Sequence, residues 1–177
     1  MQKRCSADRL GEQYMKAAIT ATIMVMAAYF LLLYAAVGFI QDKRLFSSAP
    51  EEVLAVIPDK KERFRGAHIV GWLMAGLAVL MFSGAFVLSG WDGIRSNCGF
   101  SGFFVRFLIM LYCMELYDIF FFDWFLLCRS GFYPYFYPET REIVSPKLFG
   151  FNTKTHIIHF FLYLPVSAAL SLICLIF

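Results

Sequence analysis

The stretch Ala17–Gln41, AAITATIMVMAAYFLLLYAAVGFIQ, runs for 25 residues without an Asp, Glu, Lys or Arg. A helix rising 1.5 Å per residue needs about 20 apolar residues to cross the hydrocarbon core of a bilayer. The stretch is therefore predicted as a transmembrane helix. Lys3, Arg4, Arg9 and Lys16 precede it like the basic start of a signal peptide. It is too long for a secretory core of about 7 to 15 residues, so an uncleaved anchor is expected.

Working outward from it, residues 66–90 form a second charge-free run, entered by His68, and residues 156–177 a fourth, interrupted by His159, Tyr163 and Pro165. Between them, residues 103–127 have the length and the Phe, Leu and Ile content of a span. Yet they carry Arg106, Glu115, Asp118 and Asp123. The expected fold is all-α: an integral membrane four-helix bundle, forming a single polytopic domain over residues 1–177. Small residues at Ala28, Gly71 and Ala75 are where helix backbones are expected to approach closely, because lipid gives no hydrophobic reward for packing.

Composition agrees with that class. Of 177 residues, 60% are hydrophobic and only 16% charged, against roughly 25% charged in an average soluble domain. A net charge of +3 with no long basic run excludes a nucleic-acid partner on electrostatic grounds. The expected partner is the lipid bilayer, with a homo-oligomer or a larger membrane complex as the form in which so few helices would build a pore. Five cysteines without CxxC spacing imply neither a disulfide framework nor a zinc knuckle. Cys113 and Cys174, inside apolar runs, read as small hydrophobes.

Two connections carry structure of their own. In residues 42–65, Ser48 and Glu51 have capping-box spacing and Pro50 suits a first turn, which predicts a short interfacial helix. Val53, Leu54 and Ile57 would face the membrane surface, with Lys60, Lys61, Arg63 and Arg65 toward headgroups. Residues 129–155 hold Phe132, Tyr133, Tyr135, Phe136 and Tyr137 among Pro134, Pro138 and Pro146. A structured aromatic loop is expected there, serving as an interfacial belt or as a lid. Trp72, Trp91 and Trp124, near helix ends, fit the same belt.

Orientation follows from basic residues. Lys43, Arg44, Lys60, Lys61, Arg63, Arg65, Arg129, Arg141, Lys147 and Lys154 fall on the side of the two long loops, ten against the six formed by Lys3, Arg4, Arg9, Lys16, Arg95 and Arg106. The positive-inside rule then makes the long loops cytoplasmic in a multi-pass protein of the cell membrane.

Antiparallel spans bring His68, Asp123, Arg129, His156 and His159 to that same face. Charged groups inside a membrane are costly, so they normally line a cavity and mark function. The candidate catalytic residues are Asp123, His159, Asp118, Glu115 and Arg129, the arginine holding an anionic group. The candidate metal ligands are His156, His159, Asp123 and His68, and a divalent metal is the one cofactor this set suggests. At 100° per residue Asp118 and Asp123 fall on opposite flanks of Glu115, with Tyr163 matched in depth to Asp118 and His159 to Asp123.

Two functions fit these residues. One is a small intramembrane enzyme acting on a lipid-soluble or membrane-delivered substrate. The other is a proton- or cation-coupled transport or channel subunit using Glu115 and Asp118, with an accessory subunit of a membrane complex as the plainest variant. Walker, GxGxxG, GxSxG, HExxH and EF-hand patterns do not occur,.

Overall fold

Charge-free runs become the long helices of the chain. The computed structural model describes residues 2–42, 45, 49–58 and 61–177, with side chains from Lys16 onward. Helix α1 (Gln2–Ala35) continues as a π-helical turn, Ala36–Ile40, and stops where Gln41 takes a left-handed conformation. A short α2 (Glu51–Val56) leads to α3 (Ala67–Arg95). Helix α4 (Phe100–Tyr117) runs directly into a π-helical segment, Asp118–Leu127. The aromatic loop contains α5 (Phe132–Phe136), and α6 (Thr153–Ile176) closes the chain, continuing through Pro165. No strand occurs among the described residues.

Three helices are long and apolar enough to cross a membrane: Lys16–Ile40, Ala67–Arg95 and Thr153–Ile176. The third predicted span, 103–127, is helical throughout but is not one of them. Its apolar length is divided between an α and a π part, and its acids turn into the protein. The helices leave Leu73, Leu80, Phe161 and Ile176 each at least 70% exposed, apolar surface of the kind that marks contact with lipid or another protein.

α1 packs along α3 and α4 along α6, with α4 also touching α1 and α3. The predicted small residues lie in these seams: Ala28, Gly71 and Ala75 are buried. At Gly71 an added Cβ would come 2.6 Å from Ile40 Cγ1 and 2.9 Å from Phe39 Cβ, so only glycine lets the π-helical end of α1 rest there. At the other end, the Phe103 ring occupies the space over Gly93. Near it Arg106 Nη1 donates to Asp92 Oδ2 and to the Ser89 carbonyl, both at 2.8 Å, which ties α4 to α3. Cys113 and Cys174 are half-buried in this apolar packing.

The first loop differs from its expected form. Helix α2 is present, but Val53 and Ile57 are fully buried and Leu54 packs beside them, all against the aromatic loop. Burying those side chains under protein removes them from water more completely than a headgroup layer would, so they face the aromatic loop and not the membrane surface. The predicted cap Ser48, with Lys43, Arg44 and Lys60, lies outside the described residues. Arg63 sits 5.4 Å from the centre of the Phe136 ring, a cation–π contact that joins the two loops.

Candidate functional site

The π-helical segment decides which acids meet. Its bonds close five residues back instead of four, so successive side chains turn by roughly 85° and not 100°. From Glu115 to Asp118 the α geometry applies, and Asp118 stands about 60° to one side. Over the five residues to Asp123 the slower rotation brings Asp123 back onto the face of Glu115, within about 20°, where uniform α geometry would leave it about 80° away. Glu115 and Asp123 thus point the same way, toward α6.

On α6 the residues at matching spacing are His156, His159 and Tyr163. The His156 ring lies between the two acids, with Nδ1 2.7 Å from Glu115 Oε1 and Nε2 2.8 Å from Asp123 Oδ2. His159 Nδ1 lies 3.3 Å from Glu115 Oε1 and 3.2 Å from Oε2. The Tyr163 hydroxyl donates to Glu115 Oε2 at 2.6 Å. Glu115 is 1% exposed, Asp123 6% and His156 7%, so neither acid relies on bulk water for its partners, as buried charge requires. Among the described residues the ion-pair partners of Glu115 and Asp123 are histidines.

This carboxylate–imidazole–carboxylate bridge has a fixed chemical meaning. With both ring nitrogens protonated, His156 donates to both acids at once. With a neutral ring, one nitrogen donates and the other accepts from a protonated carboxyl. The bridge therefore offers a proton a route by short steps that needs no side chain to change place.

No family model, curated protein or solved structure matches this chain. The site is therefore read from its own geometry.

Two cavities meet at Asp123. One, of about 210 Å³, lies between α1 and the π segment; Tyr29, Leu33, Phe122 and Tyr133 line it together with Asp118 and Asp123. The other, of about 240 Å³, lies between the π segment and the start of α6, where Asp123 and His156 join Phe149, Gly150, Thr153 and Phe160.

Four sequence expectations are corrected. His68 does not join the cluster: it is half-buried, with its backbone N–H on Glu62 Oε1 at 3.2 Å and its ring beside the same carboxylate. Sharing a membrane face did not place it on the side of α3 that meets α4 and α6. Arg129 is exposed and lies over the Trp124 ring, 5.7 Å from its centre, because the chain has left the helix by then and its long side chain follows the nearest aromatic surface. Tyr163 pairs with Glu115 and not Asp118, while Asp118 shares a cavity wall with Tyr29. Asp123 meets His156 and not His159. The last two follow from the π rotation. Tyr29, unremarked in the sequence, is the added lining residue; its position on a charge-free run gave no sign of it.

The aromatic loop covers this end of the helices. Tyr133, Phe136 and Tyr137 are buried together with Val37, Val53 and Ile57, and the Tyr137 hydroxyl donates to the Val37 carbonyl at 3.3 Å. Burial pushes the phenol of Tyr137 well above its ordinary pKa, so it stays a neutral donor. Tyr137→Ala should cost about 3 to 5 kcal/mol in thermal unfolding in detergent. Tyr137→Phe, which keeps the ring and removes only the hydroxyl, should cost about 1 to 2 kcal/mol.

Proposed function

We propose that the chain is a four-span protein of the cell membrane, with α4 and its π continuation as the polar span and the two long loops on the cytoplasmic side. In this reading it is a small intramembrane enzyme, and its substrate is lipid-soluble or delivered through the membrane. The observation that carries the reading is the buried His156 ring clasped by Glu115 and Asp123 beside two cavities. That is a positioned acid–base pair with room for a reacting group, as general acid–base catalysis needs. Asp118 and Tyr29 supply further polar contacts along the approach from α1.

A second reading has its own support. The buried residues of α6 are His156, Tyr163, Ser167 and Ser171, a polar stripe running from the site toward the other end of the bundle. Such a stripe suits a path for protons or cations. The enzyme is favoured because the two serines bring no ionisable group and the acid and base at the far end, Asp92 and Arg106, are engaged with each other.

The test is to reconstitute purified protein in liposomes containing a total membrane-lipid extract and compare wild type with His156→Ala by mass spectrometry. The enzyme reading expects at least one lipid species to be consumed and one to appear, with the change at least 100-fold slower in the variant. If no species changes, and wild-type liposomes instead collapse an imposed pH gradient in a manner abolished by Glu115→Gln, the enzyme reading fails and transport replaces it.

A further inference from the structure

A carboxylate oxygen of Glu115 and one ring nitrogen each of His156 and His159 lie within 4.8 Å of one another, and in both rings it is Nδ1 that faces the carboxylate. We propose that these three atoms hold a divalent cation of the zinc class, with one coordination position left open for water or substrate. The inference concerns the same site as the enzyme reading and rests on that reading only for its catalytic consequence.

Donor type is the first support. Two imidazoles and one carboxylate make a mixed nitrogen and oxygen set, which suits zinc and its neighbours; calcium and magnesium favour oxygen ligands. Three protein ligands with a fourth position open is the arrangement of catalytic zinc sites, whereas structural sites are closed by four.

Distance is the second. Bonds of about 2.0 to 2.2 Å in tetrahedral geometry put ligand atoms roughly 3.3 to 3.5 Å apart. The Glu115–His159 separations, 3.2 and 3.3 Å, already match. The Glu115–His156 separation of 2.7 Å has to open by about 0.6 Å, a small side-chain rotation.

The outer contacts are the third and most specific. A histidine bound to metal through one nitrogen normally donates its other N–H to a carboxylate, and a ligating carboxylate is itself hydrogen-bonded. His156 Nε2 faces Asp123 Oδ2 at 2.8 Å, and Tyr163 donates to the Glu115 oxygen Oε2 at 2.6 Å. With neutral imidazoles the two acids carry a charge of −2, which a dication balances within the cluster. Asp123, expected from sequence as a ligand, becomes the residue that orients one.

The experiment uses tag-free protein purified in detergent, dialysed against buffer without chelator, with metal counted by mass spectrometry. Wild type should retain about one zinc per chain. After zinc is replaced by cobalt(II) it should show the visible absorption of a tetrahedral site. His159→Ala and Glu115→Gln should retain less than a tenth of that metal. Asp123→Asn should still bind zinc, but about 10- to 100-fold more weakly. Arg129→Ala should bind as wild type does. Because His159→Ala can lose metal by misfolding, its thermal transition is compared with that of metal-stripped wild type. The two should melt alike, and added zinc should raise only the wild type. Wild type holding less than a tenth of an equivalent, or zinc binding indifferent to His159→Ala, overturns the proposal. Metal without lipid turnover leaves this site standing and sinks the enzyme reading; turnover by metal-free protein does the reverse.

Discussion

Replacing Glu115 by Ala is expected to be among the most damaging changes in the protein, lowering stability by about 3 to 5 kcal/mol and, in the enzyme reading, abolishing turnover. The side chain is 1% exposed and serves His156, His159 and Tyr163 at once. Truncation strands these polar groups in a place water reaches poorly, and breaking a buried pair by removing one partner costs in this range. Glu115→Gln keeps the volume but turns one acceptor into a donor facing donors, so it should recover about half of the stability and none of the chemistry. Thermal unfolding in detergent, read by circular dichroism, separates the two effects. A Glu115→Ala protein that melts with wild type would mean that the cluster is not formed in the folded protein.

Gly71→Leu should also be severe, at about 3 kcal/mol, and by a different route. The position has no polar role. An added Cβ meets not only the Ile40 side chain but also its backbone nitrogen, 3.1 Å away, so the strain is not relieved by rotating one side chain. The end of α1 has to move off α3, and with it Val37, on which the aromatic loop rests through Tyr137. Loss of thermal stability should therefore be accompanied by faster proteolysis within residues 129–152. The same substitution at Gly76, where an added Cβ meets nothing within 4 Å, should change neither. Equal effects at the two positions would show that close helix approach is not what Gly71 provides.

The long helices were legible because a soluble fold has almost no place for 25 consecutive residues without charge, and α1, α3 and α6 lie where the charge-free runs are. The membership of the site was half legible. Glu115, Asp123, His156 and His159 stand out as ionisable groups in apolar surroundings, and the structure brings all four together. Their pairing was not readable, since it depends on ten residues wound as a π-helix, and Asp118–Leu127, DIFFFDWFLL, carries no proline or glycine to announce it. Uniform α geometry sends Asp123 and Asp118 to opposite flanks; the wider coil sends one to α6 and leaves the other to Tyr29. His68 and Arg129 were included because they share a membrane face, but a face is wider than a site. The aromatic loop shows a related limit: its rings suited a lipid boundary equally well, and only the partners Val53, Ile57 and Val37 reveal that Tyr133, Phe136 and Tyr137 pack inward while Tyr135 stays exposed.

Asp123 belongs to both hollows that flank the bridge, and so works as a party wall. The hollow beside α1, with Tyr29, Asp118 and Tyr133 in its wall, suits a polar visitor, and the one beside α6, walled by Ile119, Phe149, Ile157 and Phe160, suits a greasy one. The two would use different doors, meeting only across one carboxylate and the ring behind it, so that guests of unlike polarity would need no common corridor.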